Sequence, residues 1–167
     1  MNDERQRALE ILDVQEGRGS VPLLQGSAPS DLLAKTHRIA VVGASPSPGR
    51  PSYGVMRYLL AQGYDCVPIN PNASEVLGQP AFPTLEEAVA TGGPFDIVDV
   101  FRRSDALVEI ARSAVATGSA ALWMQLGVVN WEAAAIAHAA GLPVVMDRCT
   151  KIEIMRLNVA KIGAAAD

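Results

Sequence analysis

The chain has little of what would mark a membrane protein, a metalloprotein or a secreted scaffold. Of its 167 residues only two are cysteine, Cys66 and Cys149, and they lie far apart. The opening residues 1–7 begin acidic with no apolar run behind them, so they do not read as a secretory signal. That usage fits reduced thiols in a cytoplasm better than a disulfide framework. Neither cysteine has a second Cys or a His at metal-ligand spacing, so no zinc pattern is available. No stretch approaches the roughly 20 apolar residues of a membrane span. Charge of one sign is scarce too. A formal net charge of -4 gives no global field to gather polyphosphate chains, so non-specific DNA or RNA binding is disfavoured. A local basic site is still allowed. The two histidines, His37 and His138, stand apart from any serine or cysteine at a recognisable spacing. They read as structural or exposed, and no Ser-His-acid or Cys-His set can be assembled.

What is present is 49% hydrophobic, largely small aliphatic side chains, with only 5% aromatics, 14 Gly, 11 Pro and 19% charged residues. This composition argues against disorder and against collagen-like or coiled-coil repetition. The length suits one domain, or one domain plus a tail, with a core that needs no cross-link.

Residues 4–14 carry Leu9, Ile11, Leu12 and Val14 between charges and predict a short amphipathic helix. Residues 1–36 read as an N-terminal helical extension that packs on the body. From Arg38 the text alternates. Ile39-Ala40-Val41-Val42 is a buried strand; Val55, Met56, Leu59 and Leu60 have helical spacing and Gly63 closes that helix. Cys66-Val67-Pro68-Ile69 is a second strand, whose Pro68 must sit where no backbone donor is needed. Thr84 and Glu87 have capping-box spacing. Further strands are predicted over residues 95–100, 120–124 and 143–146. Helical patterns lie between them, and a final helix is capped by Thr150 with Glu153 three residues on. Strands that are apolar on both faces and alternate with helices predict a doubly wound, mostly parallel α/β domain over 37–158. Residues 159–167 form a C-terminal tail.

Right-handed crossovers put the carboxyl ends of such strands on one edge, where ligands bind. The segments that leave the strands are therefore informative. The first, residues 43–54, begins at Gly43 and offers Ser45, Ser47 and Ser52. Unpaired amides start a helix near Tyr53, and Arg50 adds a planar cation suited to phosphate oxygens. The loop predicts a phosphate site. It is neither the Gly-x-Gly-x-x-Gly dinucleotide fingerprint nor a P-loop, since no Lys follows a suitable Gly. After the second strand comes Asn70-Pro71, with no acid to hold the ribose hydroxyls of NAD. An adenine or a 3′-phosphate there is expected to meet no carboxylate. Glu86 and Glu87 read as a capping face. Asp99, inside an apolar strand, must be hydrogen-bonded or near the sheet edge. Cys149 follows Arg148 at the same edge and precedes a helix, surroundings that in general favour a reactive thiol.

The ordered blocks Val41-Val42-Gly43-Ala44-Ser45, Arg50-Pro51-Ser52-Tyr53, Val67-Pro68-Ile69-Asn70-Pro71, Glu75-Val76-Leu77-Gly78, Val98-Asp99-Val100-Phe101-Arg102-Arg103, Leu122-Trp123-Met124-Gln125-Leu126-Gly127 and Val144-Val145-Met146-Asp147-Arg148-Cys149 carry a resemblance. Over residues 36–157 the sequence resembles the CoA-binding domain family, small proteins similar to the nucleotide-binding domain of the succinyl-CoA synthetase α subunit. The resemblance implies an open Rossmann-like domain that holds coenzyme A. The pyrophosphate would lie on residues 43–52, the adenosine beside Asn70-Pro71, and Phe101-Arg102-Arg103 and Gln125 to Gly127 would wall the site. The implied contacts are Gly43, Ala44, Ser45, Arg50, Ser52, Tyr53, Asn70, Pro71, Phe101, Arg102, Arg103, Gln125 and Gly127, with no catalytic residue and no metal ligand.

The synthetase relatives carry a Lys just past the second strand. Asn72-Ala73 stands there in this chain, which leaves Arg50 or Arg102 to meet the 3′-phosphate. The phosphorylated histidine of the synthetase belongs to a following domain, so no complete acyl-CoA ligase is expected. The expected function is binding of coenzyme A or a short acyl-CoA in the cytoplasm, without a catalytic apparatus of its own and without nucleic-acid or membrane partners. The alternatives are an NAD(P)-dependent oxidoreductase using the same edge and a CoA-binding subunit of a separate ligase or transferase. Apolar helix faces would support a homodimer, though packing within the domain explains the same periodicity.

Overall fold

A computed structural model describes residues 2–102 and 105–166, with side chains through Asn158. The chain runs α1 (Asp3–Gln15), α2 (Ala28–Lys35), β1 (Arg38–Val42), α3 (Pro51–Ala61), β2 (Asp65–Ile69), β3 (Glu75–Val76), β4 (Gln79–Pro80), α4 (Leu85–Gly92), β5 (Ile97–Val100), α5 (Ala106–Ala116), β6 (Leu122–Met124), α6 (Trp131–Ala139), β7 (Val144–Val145) and α7 (Thr150–Ala166). Five strands pair in parallel in the order β2-β1-β5-β6-β7. The order reverses between β1 and β5, which places the switch point of a doubly wound sheet beside the end of β1. Among the described residues no helix is long and apolar enough to cross a membrane.

Period-two alternation along each strand assigns the two faces. Ala40, Val42, Val98, Val100, Leu122, Met124 and Val144 pack under α4, α5 and α6, with Leu85, Leu107, Ala111, Ala133 and Ala137 as the helical partners. Ile39, Val41, Ile97, Trp123 and Val145 face the other way, against Met56 and Leu59 of α3, Leu33 of α2 and Ile154 of α7. Alanine-rich α5 and α6 can lie close to the sheet and to each other because their contact faces carry little bulk. Pro68 sits in the edge strand, and its carbonyl accepts from Phe82. Its missing donor therefore points away from β1, as a proline in a strand requires.

The N-terminal extension is built into the body rather than resting on it. Val14 of α1 joins the α4–α6 side of the core and Leu33 of α2 joins the other. Between them the Leu24 amide donates to the Val144 carbonyl at 2.9 Å, so the connecting segment covers the outer edge of β7.

Two elements lie outside the sequence expectation. One is α2, whose second residue is Pro29. The other is the β3–β4 hairpin, which turns on Leu77 and Gly78 at φ of 52° and 76°. A third difference concerns α7. Thr150 is its first residue and does not cap it; its hydroxyl points to Asp99, and Glu153 points to Ser30, Arg148 and Arg156.

Candidate ligand-binding site

The loop after β1 is shaped by its own hydroxyls. Gly43 leaves the strand at a φ of +84°, and a Cβ there would lie 2.7 Å from the Arg102 Cγ. Both the left-handed backbone and the close approach call for glycine. Its amide still donates to the Ile69 carbonyl at 3.1 Å, which carries the β1–β2 pairing one residue past the strand. Ala44 is fully buried. Ser52 Oγ, also buried, accepts from the Ser45 amide at 3.1 Å, and Ser45 Oγ accepts from the Ser47 amide at 3.1 Å. Both hydroxyls thus hold the loop as acceptors and keep their own protons to donate.

The helix after this loop starts two residues earlier than the expected Tyr53. Pro51 occupies the first turn, where its missing donor is harmless, and Arg50 takes the cap position without a side-chain cap bond. Pro51 has no amide, and the Arg50 and Tyr53 amides donate to the Ser47 and Arg50 carbonyls at 3.1 Å, so the start of α3 presents the Ser52 amide and the helix dipole to the loop. Arg50 is exposed, and no carboxylate among the described residues pairs with it. With Gly43, Ser45, Pro51, Ser52 and Phe101 it lines a hollow of about 280 Å³. Tyr53 is half-buried in the first turn of α3 and lines no part of that hollow.

On the other side of Gly43 lies a larger cleft of about 440 Å³. Its floor is Val42, Gly43 and residues 69–72, and its walls are the first turn of α4, Arg102 and the first turns of α5. Asn70 is pinned here by both ends of its amide. Nδ2 donates to the Ala44 carbonyl at 2.8 Å and Oδ1 accepts from the Asn72 amide at 2.8 Å. Asn70 thus locks the β2 loop to the β1 loop, and Pro71 beside it is exposed. The expectation of a cleft free of carboxylates is corrected. Glu86 of α4 and Glu109 of α5 both line it, in first turns where the helix dipole favours an acid. Glu109 also pairs with Arg112. A signal for Glu109 existed in the sequence: α5 directly follows the parallel strand β5, so its first turn belongs to the same edge as the strand's end, whereas the β3–β4 hairpin intervenes between β2 and the α4 turn that carries Glu86.

The β6–β7 part of the edge is arranged differently. Gln125 is 4% exposed. Its Nε2 donates to Asp99 Oδ1 at 2.7 Å and to Thr150 Oγ1 at 2.9 Å, while the Thr150 hydroxyl donates to Asp99 Oδ2 at 3.2 Å. The partner of Asp99 is thereby placed. Burial pushes the Asp99 carboxyl up to about 7, although the bonds from Gln125 and Thr150 pull it down. Burial likewise pushes the Cys66 thiol up to about 12, with Asp99 and Asp65 adding to the effect.

Gly127 donates its amide to Asp147 Oδ1 at 2.7 Å, and Asp147 has a φ of 58°. Gly127 opens onto a separate hollow walled in part by Arg7, Glu10 and Ile11 of α1. Arg148 donates to the Gly26 carbonyl at 3.0 Å and reaches Glu153 at 3.4 Å. Cys149 is 9% exposed and belongs to the core. Gly43, Ser45, Arg50, Ser52, Asn70, Pro71, Phe101 and Arg102 therefore line two hollows that meet at Gly43. Gln125 and Gly127 line neither, and Arg103 lies outside the described residues.

Residues 37–155 match the CoA binding domain family. The uncharacterized protein YneT of Bacillus subtilis (strain 168) is 40% identical over 122 residues, which is 73% of this chain and 88% of YneT. A hypothetical protein from Pyrococcus horikoshii OT3 is 36% identical in sequence and superposes with a TM-score of 0.75 over 80% of this chain and 92% of its own. A Thermus thermophilus structure, cell-free ID.343, is 33% identical with a TM-score of 0.70 over 94% of this chain and 99% of its own. A match of that extent takes in most of the N-terminal extension. By the span of its family match and the identity it shares with these relatives, the chain belongs to the CoA-binding domain family.

Proposed function

We propose that the chain binds coenzyme A, or a short acyl-CoA, across the two hollows that meet at Gly43. The diphosphate lies at the smaller one, against the start of α3 and the Arg50 guanidinium. The adenosine enters the larger cleft beside Asn70 and Pro71, and the pantetheine arm leaves past Phe101. The observation that carries this reading is Arg50, a cation with no carboxylate partner among the described residues, standing at the uncapped start of a helix. A planar fork beside a helix start, with its dipole and the Ser52 amide, is complementary to a diphosphate.

Among the described residues, no nucleophile, general base and orienting group come together at these hollows. The chain acts as a holder of the ligand in this reading, and a separate ligase or transferase supplies any chemistry. Asn70 stands where a nicotinamide dinucleotide site has its acid, and both ends of its amide are occupied by backbone. NADH and NADPH are therefore expected to bind far more weakly than CoA in a fluorescence titration.

The direct test is calorimetry of the parent and of Arg50→Ala with CoA. Loss of the charge weakens binding by about 1.5 to 3 kcal/mol, the range for a hydrogen bond to a charged group. Equal affinity of the two proteins would remove the phosphate assignment.

A further inference from the structure

Two carboxylates stand in the cleft that the proposed function gives to the adenosine, and coenzyme A carries a phosphate on that ribose. The ribose 3′-phosphate bears close to two negative charges near neutral pH. A site that selects for it needs cations within a few ångströms. Among the described residues lining the cleft, Arg102 is the one cation. Its stem is packed over Gly43, and it lines the larger cleft and not the smaller hollow, so one guanidinium is set against two carboxylates there. The α4 side offers the opposite charge. Glu86 lines the cleft and Glu87 follows it, so the dipole of α4 already faces two acids of its own first turn. The Glu87 amide is also taken by the Thr84 hydroxyl at 3.2 Å. Across the cleft, Glu109 is paired with Arg112, but Glu86 has no ion-pair partner among the described residues.

We propose that Glu86, supported by Glu109, is a specificity-determining residue that discriminates against the ribose 3′-phosphate. The ligand class of the site is then the adenosine diphosphate of a pantetheine carrier with a free 3′-hydroxyl acceptable or preferred. An ionised carboxylate can accept a hydrogen bond from a ribose hydroxyl and repels a phosphomonoester at the same place. This inference rests on the reading of the site as a CoA site and narrows it to the part of the ligand that is recognised.

The experiment is a parallel titration of the full chain and of Glu86→Gln with CoA and with dephospho-CoA, at low and at high salt. In the parent, dephospho-CoA binds at least as tightly as CoA. In Glu86→Gln the affinity for CoA rises roughly three- to tenfold, as removing one like charge at close range in a solvated cleft should give. The affinity for dephospho-CoA does not rise, and the difference between the two ligands shrinks as salt is added. Glu86 is chosen over Glu109 because the latter change would also release Arg112. CoA binding the parent tenfold more tightly than dephospho-CoA, or a ratio of the two affinities unmoved by Glu86→Gln, overturns the discrimination and leaves the CoA site standing. Failure of both ligands to bind the parent overturns the CoA site itself, and this inference with it.

Discussion

The β1–β2 and β6–β7 halves of the carboxyl edge contain similar polar residues and use them in opposite ways. At β6–β7 the polar side chains are closed on one another. Gln125 and Thr150 serve Asp99, Asp147 holds Gly127, and Glu153 holds Ser30, Arg148 and Arg156. At β1–β2 the side chains that close on one another, Asn70, Ser45 and Ser52, do so with backbone, and the cation Arg50 is left over. The difference follows from the neighbours of each half. The outer edge of β7 has the N-terminal segment to hold, and its polar groups are bonded to Gly26 and Ser30. The end of β1 carries no such duty, and its glycine turn keeps backbone open to a ligand. Polar residues at strand ends thus mark a ligand edge only where no other segment of the chain claims them.

The largest effect that would sharpen this comparison is expected on the closed half. Glu153 is buried, and Glu153→Ala takes the carboxylate from Arg148, Arg156 and Ser30 at the junction of α2 and α7, while Arg148 keeps the Gly26 carbonyl and Ser30 the backbone carbonyl of residue 153. Removing one partner of a buried ion pair costs about 3 to 5 kcal/mol; the partial exposure of Arg148 and Arg156 puts this one near the lower end. Urea unfolding should show that loss, while CoA affinity measured well below the transition stays within about twofold of the parent. Parallel losses of stability and affinity would break the division between the halves.

The next effect falls on the open half. Gly43→Val places a β-branched side chain in a left-handed backbone and into the Arg102 stem, with a strain of order 1 to 3 kcal/mol. CoA binding should be lost outright, since the turn that presents the start of α3 is displaced. Arg102→Ala in the same chain removes the steric part only. Unfolding of the double variant should therefore recover some of the stability, a non-additivity expected of residues in contact. Full additivity would show that the Arg102 stem does not sit over Gly43.

Much of this architecture was legible in the sequence, because the strands are apolar on both faces and each is followed by a helical period. Even the ligand edge could be read, since strand direction alone fixes it. The missed elements lacked local signals. The β3–β4 turn puts Leu77 at positive φ, where Asn, Asp or Gly would have announced a hairpin. α2 has eight residues, and much of its burial comes from α7, more than a hundred residues away. Thr150 and Glu153 have the spacing of a capping box, yet both are claimed by distant partners, which spacing cannot reveal. Glu86 was hidden by a correct local reading: acids in a helix's first turn suit the dipole whether or not they also line a cleft.

The smallest effect expected separates the halves by pH. Asp99 is buried under the closed half, with a carboxyl pushed up to about 7, against roughly 3.9 for an unfolded aspartate. Between those values the folded chain holds a proton that the unfolded chain has released. This contribution to stability is therefore complete below about pH 4, falls as the pH rises towards 7, and is level above it. In Asp99→Asn the amide oxygen still accepts from Gln125, and the amide nitrogen can donate to Thr150, so the cluster keeps its bonds without a charge. The stability of the variant relative to the parent should then rise by about 1 to 2 kcal/mol between pH 6 and pH 8, read as the difference between paired urea midpoints. Affinity for CoA should change equally with pH in both proteins, because Asp99 reaches Gln125 and not the two hollows. A pH dependence of binding that vanished in Asp99→Asn would couple the closed half to the ligand and dissolve the distinction between them.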